Sequence, residues 1–208
     1  MNAAARQINN IVPLPNPRRA ATRLRICEAA NALFFEQGFA AATMEEVAQA
    51  VGIRRSTLYL HFRDKEEVLG AIAEDYIAKL RPVIARLPGP VPTRAEIAGW
   101  VEEMADFVMR ERAATELLVS LSHLPKAPAP ALAFGSEFKQ MMASRLAAFR
   151  LALEPGEAMA FARAMSAIDG LGWALCHHAR AGGDAVSKAR LTVAADTLDR
   201  LVRGDLAL

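Results

Sequence analysis

The chain has 208 residues, of which 53% are hydrophobic and 23% charged, with a formal net charge of +2. No stretch of about twenty apolar residues is free of charge, and the two cysteines, Cys27 and Cys176, suit neither a disulfide framework nor a zinc site. The length and the many Ala, Leu, Arg and Glu residues predict a soluble, cytoplasmic, all-α protein with a small domain joined to a larger one.

The first 21 residues, which include three prolines, predict a flexible N-terminal arm. They lack the uninterrupted apolar core of a secretion signal. Two interpretations are open: the arm lies along DNA, reaching into its minor groove, or it is an unstructured leader with no role. The arginines that would serve the first interpretation are Arg18, Arg19, Arg23 and Arg25.

Residues 43–65, TMEEVAQAVGIRRSTLYLHFRDK, predict two short helices joined by a tight turn, followed by the start of a third. Thr43 and Glu46 form a Thr-x-x-Glu capping box, which begins the first helix. Gly52 follows that helix, where the chain must adopt a backbone conformation that costs other residues more. This layout is typical of a DNA-reading helix-turn-helix.

The second of these helices is predicted over residues 54–62. Leu58 and Phe62, four residues apart, would form its buried stripe. Asp64 and Glu67 repeat the capping-box spacing and predict that a long helix begins there. The outward-facing residues of the second helix are all hydrogen-bond donors: Arg55, Ser56, Thr57, Tyr59 and His61.

The sequence of this region resembles the N-terminal domain of the TetR family of transcriptional regulators. The resemblance covers residues 22–75 and rests on ALFFEQGF, on the pattern T-x-x-x-V-A-x-x-x-G-I and on TLYLHFRDKEEVL. It implies a three-helix DNA-binding domain, which we place at residues 22–66. A helical effector-binding and dimerisation domain would follow at residues 67–208, giving about nine helices in all.

Residues 54–62 would then enter the major groove of double-stranded DNA. Arg55 can make a bidentate contact with a guanine edge, and the Thr57 methyl group can meet a thymine. Arg54 stands where the family commonly has a small capping residue, and it could reach a phosphate instead. By resemblance, the phosphate contacts are Thr43, Tyr59, His61 and Lys65, although His61 could alternatively be packed beside Phe62.

Charge is distributed unevenly along the chain. Through Lys65 there are nine Lys and Arg against five Asp and Glu, whereas the remainder has sixteen against eighteen. A basic end on a nearly neutral body suits a protein that touches phosphates with one end, although ordinary scatter of surface charge is the alternative.

Two proline-rich segments, 87–92 and 124–130, divide the body into helices. The helices of the body are predicted over 93–112, 113–122, 131–153, 155–179 and 186–203.

The last two helices carry apolar seams, which predict a dimer interface. In the family that this chain resembles, the corresponding helices of two subunits form a four-helix bundle. The alternative is that both seams are satisfied inside one monomer. The predicted interface residues are Phe161, Met165, Ile168, Leu191, Ala194, Leu198 and Leu201.

Aromatic and methionine side chains recur on several body helices and predict a pocket for an apolar or aromatic effector, although such residues also form plain core. His123 and His177 are the polar groups that could orient a ligand. The predicted pocket residues are Trp100, Met104, Phe107, Phe138, Met141, Met165, Trp173 and His177.

An enzyme finds little support in this sequence. Cys176, His177 and His178 are consecutive, so on a helix they point about 100° apart and do not converge on a metal. We expect no metal and no cofactor. The sequence predicts a ligand-responsive repressor that binds a palindromic operator as a homodimer. The alternatives are a DNA-binding protein without an effector and a helical enzyme.

Overall fold

The computed structural model describes residues 17–205, which form ten helices and no strand. The predicted all-α class is confirmed. The helices are α1 Pro17–Gln37, α2 Met44–Val51, α3 Arg55–Tyr59, α4 Lys65–Ala85, α5 Arg94–Arg110, α6 Arg112–Ser122, α7 Ala129–Arg145, α8 Ala147–Ala152, α9 Ala158–Ala181 and α10 Ala185–Arg203. No helix among the described residues is long and apolar enough to cross a membrane.

The first helix begins earlier than the sequence pattern predicted. It starts at Pro17, so residues 17–21 of the predicted arm are helical, while residues 1–16 lie outside the described part of the chain. Proline suits this position because its missing N–H is one that the first turn leaves unpaired in any case.

The N-terminal domain forms around side chains contributed by α1, α2 and α3. Ile26 and Phe34 of α1, Val47 of α2 and Leu58 of α3 are all buried there, with Phe62 just beyond α3. The predicted buried pair, Leu58 and Phe62, is therefore confirmed.

The long helix α4 joins this domain to the body. Val68 and Leu69 are buried near its start, and Tyr76 and Leu80 are buried further along, where α4 packs against α7. The helix also contacts α1 and α6, so one continuous helix touches both parts of the molecule.

The structure has one helix more than the nine predicted, because the helix predicted over 131–153 is two helices. Leu146 interrupts it with an extended backbone, φ −110° and ψ 128°. The bend is held from the proline-rich segment: the amide of Ala147 donates to the carbonyl of Pro90 at 3.1 Å, and Arg145 Nε donates to the carbonyl of Leu87 at 2.8 Å.

The apolar seam predicted for the dimer on α10 packs inside the monomer. α10 lies against α9 and α5, and Leu198 is only 1% exposed. Most of this seam is therefore packed against its own chain, whereas Ala194 also borders an exposed groove between α9 and α10 and Phe161 is 42% exposed, so the dimer interface stays a prediction. The four buried residues are Leu191, Ala194, Leu198 and Leu201.

Candidate nucleic-acid interface and internal cavity

Helix α2 begins with the capping box that the sequence predicted. Thr43 Oγ1 accepts from the amide of Glu46, and the Glu46 carboxylate accepts from the amide of Thr43 at 2.8 Å. These hydrogen bonds lower the pKa of Glu46. The helix ends at Val51, and Gly52 follows with φ +73°, the left-handed conformation expected for this turn.

Helix α3 is the second helix of the predicted helix-turn-helix, and we call it the reading helix. It is shorter than predicted. It spans Arg55–Tyr59 rather than 54–62. The amides of His61 and Phe62 both donate to the carbonyl of Leu58, at 2.9 and 3.0 Å, so the helical ladder closes there in a tight turn. Arg54 precedes the helix and makes no side-chain capping hydrogen bond, as its chemistry predicted.

Arginines of α1 hold the end of this turn. Arg19 donates to the carbonyl of Leu60 at 3.3 Å, and Arg23 donates to the carbonyl of His61. The Arg23 guanidinium also lies 4.0 Å from the centre of the Phe62 ring. These side chains are predicted DNA contacts under one interpretation of the sequence. They instead donate to main-chain carbonyls of the turn that follows α3 and so position the reading helix. Arg25 acts similarly on α2, where it donates to the carbonyl of Val51 at 2.9 Å.

The outward side chains of α3 are available to a partner. Arg54, Arg55, Ser56 and Tyr59 are exposed, and Thr57 is half-buried. Arg55 lies 3.4 Å from the Glu45 carboxylate, in an ion pair whose two side chains are about 60% exposed. Such exposed pairs contribute little, so Arg55 can exchange this partner for another at small cost.

Lys65 has a different environment from the one predicted. Its ammonium donates to the carbonyls of Phe39, Ala40 and Ala42 at 2.8, 2.9 and 3.3 Å. An ammonium group has three N–H donors, so all of them are occupied. A phosphate contact by Lys65 would have to replace one of these hydrogen bonds. In this structure Lys65 stabilises the loop between α1 and α2.

His61 is half-buried, and its Nδ1 atom is buried without a hydrogen-bond partner. Burial lowers the pKa of His61, and the nearby Arg19 and Arg23 lower it further. The alternative of a partly packed histidine therefore describes its surroundings better than an exposed phosphate ligand does.

Two exposed residues beside the reading helix were missed by the sequence reasoning. Leu60 is 73% exposed, and the side chain of Arg63 is 86% exposed. The sequence pattern had placed Leu60 inside a longer helix, and Arg63 lay just beyond it. Their accessibility follows from the turn after Tyr59.

The body contains a cavity of about 240 Å³ between α4, α5, α6, α7 and α9. Its walls are mostly apolar, and polar side chains lie along the same lining. The apolar group includes Leu80, Met104, Phe134, Phe138, Met165 and Leu175, and the acidic and basic side chains are His123, Lys139 and Asp169.

Only three of the eight predicted pocket residues line this cavity: Met104, Phe138 and Met165. Trp100 is buried between α5 and α4 instead, where its indole N–H donates to the carbonyl of Val83 at 3.0 Å. Phe107 packs against the ring of Tyr76, with 5.3 Å between ring centres.

The other predicted pocket residues do not line the cavity either, although the Trp173 ring lies 5.7 Å from that of His123. Met141 borders a separate surface depression, and Trp173 is 48% exposed on α9. His177 is half-buried on α9, away from the cavity lining. Conversely, Met165 and Ile168, predicted at the dimer interface, line the cavity. The periodicity identified apolar helices correctly, but it did not assign each face to its neighbour.

Two hydroxyl groups form a polar pair in the cavity wall. Tyr76 and Thr115 are 2.9 Å apart, and Thr115 donates its own hydrogen to the carbonyl of Glu111 at 3.0 Å. Tyr76 is therefore the donor within the pair, and its phenolic oxygen retains capacity to accept. Burial raises the pKa of Tyr76.

His123 joins the end of α6 to α9. Its Nδ1 lies 2.7 Å from the carbonyl of Val119, and its Nε2 lies 3.1 Å from Asp169 Oδ1. Because both ring nitrogens face acceptors, the arrangement favours the protonated imidazolium. The Val119 carbonyl, and then Asp169, raise the pKa of His123.

Helix α6 connects the cavity to the N-terminal domain. It contributes Thr115 and Val119 to the cavity and packs against α1. Glu116, 4% exposed, accepts hydrogen bonds from Arg112 and from Arg180 of α9. The Arg112 guanidinium lies 5.6 Å from the centre of the Phe35 ring on α1.

An exposed apolar surface lies along α9 and α10. It forms a shallow groove that includes Gly170, Trp173, Val186, Ala189 and Val193, and we call it the α9–α10 face. Val193 is 65% exposed and Val186 59%. Contiguous exposed apolar patches on a protein surface commonly mark an interaction site.

Comparison with known proteins agrees with this architecture. Residues 26–72 match the family described as bacterial regulatory proteins, tetR family. The chain is 34% identical over 114 residues to an HTH-type transcriptional repressor of Mycobacterium tuberculosis, covering 42% of this chain and 61% of the relative. It is 32% identical over 102 residues to the regulator AcrR of Shigella flexneri, covering 47% of each. The matched regions span less than two thirds of these relatives.

Solved structures extend the similarity of fold to the body. A TetR-like transcriptional regulator from Rhodococcus sp. RHA1 superposes with a TM-score of 0.64 at 20% identity, covering 92% of this chain and 97% of the other. FadR of Thermus thermophilus, a TetR-family repressor in complex with lauroyl-CoA, superposes with a TM-score of 0.53 at 24% identity, covering 89% and 96%. Residues 26–72 therefore match the N-terminal domain of the TetR family of transcriptional regulators, and the chain shares the fold of solved TetR-family structures.

Proposed function

We propose that this protein is a ligand-responsive transcriptional repressor that binds a palindromic operator as a homodimer. The observation that carries the proposal is the exposed row of donors on α3, whose following turn accepts hydrogen bonds from Arg19 and Arg23. A short helix that presents Arg and Ser side chains suits the major groove of DNA. Bacterial DNA lies in the cytoplasm, where the protein would act.

The α9–α10 face supports the homodimer. Its exposed valines and Trp173 would be buried against the same face of a second copy, which is the self-complementary arrangement of a two-fold dimer. Two copies would hold two reading helices roughly one helical turn of DNA apart, about 34 to 36 Å, and so match a palindromic operator.

The internal cavity supports an effector with an apolar or aromatic body. Its volume of about 240 Å³ lies just below the range of roughly 300 to 1,000 Å³ that is usual for ligand pockets, which favours a small ligand. The ligand-bound Thermus relative and the repressor among the relatives make repression relieved by a small molecule the favoured mode of action.

The helices around the cavity suggest how binding would reach DNA. Both α4 and α6 line the cavity and also pack against α1, which in turn positions α3. A ligand that moves α4 or α6 would thereby change the position of the reading helices in the dimer.

Selection of binding sites from random duplexes tests the DNA-binding proposal. We expect the selected sites to share an inverted repeat whose half-sites lie about one helical turn apart. Recovery of sequences without a common motif would contradict it and favour a DNA-binding protein with no operator.

A cavity-filling variant tests the effector proposal. Gly172 lies in the cavity lining, where an added Cβ would meet Val119 at an ordinary 3.8 Å. Gly172→Leu should therefore occupy the cavity and preserve operator binding, while blocking release by apolar or aromatic compounds that release the wild type. Gly99→Leu, which replaces another helical glycine that is exposed, is the control. If no such compound releases the wild type, or if Gly172→Leu responds equally, the effector proposal fails.

A further inference from the structure

The charged side chains in the cavity lining indicate which head group an effector would carry. Three of them, His123, Lys139 and Asp169, differ in how completely they are paired. The inference rests on the proposed effector role of the cavity and concerns the chemical class of its ligand.

Asp169 and His123 form a hydrogen-bonded ion pair when the imidazole is protonated. Asp169 Oδ1 accepts from His123 Nε2 at 3.1 Å, while His123 Nδ1 faces the carbonyl of Val119. In its protonated form the imidazolium offsets the charge of the carboxylate. Asp169 is therefore poorly suited to serve as the counter-ion of a cationic ligand.

Lys139 has no such partner. Across residues 17–205, no carboxylate lies within ion-pair distance of its ammonium group, which lies 6.0 Å from the centre of the Phe161 ring. Lys139 is on α7, one residue from Phe138 of the apolar wall, and it is half-buried. Because water screens a half-buried cation less completely than a fully exposed one, Lys139 can attract an anion more strongly than an exposed lysine does.

We propose that the cavity binds a small amphiphilic carboxylic acid, whose carboxylate pairs with Lys139 and whose apolar body lies between Phe134, Phe138 and Met165. The volume of about 240 Å³ limits the size of that body. An arylalkyl or medium-chain acid suits a cavity of this size.

Three probes with one apolar body separate the possible head groups: 3-phenylpropionate, 3-phenylpropan-1-ol and 3-phenylpropylamine. Their dissociation constants are measured by calorimetry on the full chain without DNA. We expect the acid to bind at least about tenfold more tightly than the alcohol, and the amine to bind most weakly.

Variants at Lys139 assign that preference to one side chain. Lys139→Met should remove the preference for the acid while leaving the affinity for the alcohol nearly unchanged, and Lys139→Arg should retain the preference. Lys188→Met, which replaces an exposed lysine of α10, should behave as the wild type. Thermal unfolding of each variant verifies that it is folded.

The inference is overturned if the alcohol or the amine binds as tightly as the acid, if Lys139→Met keeps the preference, or if none of the probes binds at millimolar concentration. Operator release is measured separately. If the acid binds through Lys139 without releasing the operator, the ligand class stands and the effector role is what fails.

Discussion

At the scale of single residues, the N-terminal domain separates basic side chains that can meet DNA from those that build the domain. Arg54 and Arg55 are exposed to solvent, whereas Arg19, Arg23 and Lys65 donate hydrogen bonds to main-chain carbonyls. The sequence motif alone predicts DNA contacts for both groups of basic side chains. Only their contacts in the structure separate the exposed group from the group that bonds within the domain. This distinction leads to opposite expectations for Arg55 and Lys65.

Replacing Arg55 should alter base preference. We expect Arg55→Ala to relax selection at one base position in each half-site and to cost about 1 to 3 kcal/mol per contact, because a bidentate contact with guanine would be lost. Competition with duplexes substituted at each position measures this. Arg110→Ala, an exposed arginine on α5, is the control. An unchanged affinity and base preference in Arg55→Ala would contradict the assignment.

Replacing Lys65 should mainly destabilise the protein. Lys65→Met keeps most of the apolar stem but leaves the carbonyls of Phe39, Ala40 and Ala42 without their donor. We expect a loss of about 1.5 to 3 kcal/mol in the free energy of unfolding, measured by denaturant titration. The slope of operator affinity against salt should stay unchanged. A flatter slope with wild-type stability would identify Lys65 as a phosphate contact instead.

The contacts of His123 predict a pH dependence of stability. Its pKa is raised in the folded protein, so its contribution is fully present below the unfolded pKa of about 6.5 and is lost as the pH rises through the folded value. The difference in melting temperature between the wild type and His123→Gln should therefore be larger at pH 5.5 than at pH 8.5. An equal or reversed difference would show that the ring is not held as an imidazolium.

At the scale of helices, a helix boundary could be predicted from the sequence when the residues that fix it lie close together in the chain. The start of α2 was predictable because Thr43 and Glu46 are three residues apart and cap each other. The end of α3 was not, because Arg19 and Arg23 act there from about forty residues away. The break between α7 and α8 likewise depends on a contact with the distant Pro90.

The same reasoning explains the partial success with the cavity and the dimer. Apolar periodicity shows that a helix face is buried, but the identity of its neighbour depends on how the helices pack. On α10, the regular Leu191 to Leu201 seam faces α5 and α9, and the side left exposed includes Val186 and Val193, which do not stand out in the sequence.

Two substitutions on α10 distinguish these faces. Leu198→Asp would place a charge in the monomer core and should cost roughly 3 to 5 kcal/mol, enough to impair folding. Val193→Asp should leave the helical circular dichroism intact while shifting the protein towards monomers in sedimentation, because it charges the α9–α10 face. Thr192→Asp, an exposed neighbour outside that groove, is the control. A Val193→Asp protein that remains dimeric would place the interface elsewhere.

At the scale of the whole molecule, one continuous set of helices links the two ends. The α3 surface lies on one domain, the cavity lies within the body, and α4 and α6 contact the first helix of the DNA-binding domain while lining the cavity. We propose that the outer face of α9 and α10 meets a second copy. Each feature of the proposed regulator therefore occupies a different surface, so variants can separate DNA binding, dimerisation and response to a ligand.

The central claim is that this architecture reads a DNA sequence, and the specificity ratio tests it most directly. The dissociation constant of the wild type is measured for a selected operator and for a scrambled duplex of equal length and composition, at the same salt concentration. The account predicts that the operator is bound roughly 10³-fold or more tightly. A ratio below about ten, with both affinities falling equally as salt rises, would reveal binding through phosphates alone and contradict the account.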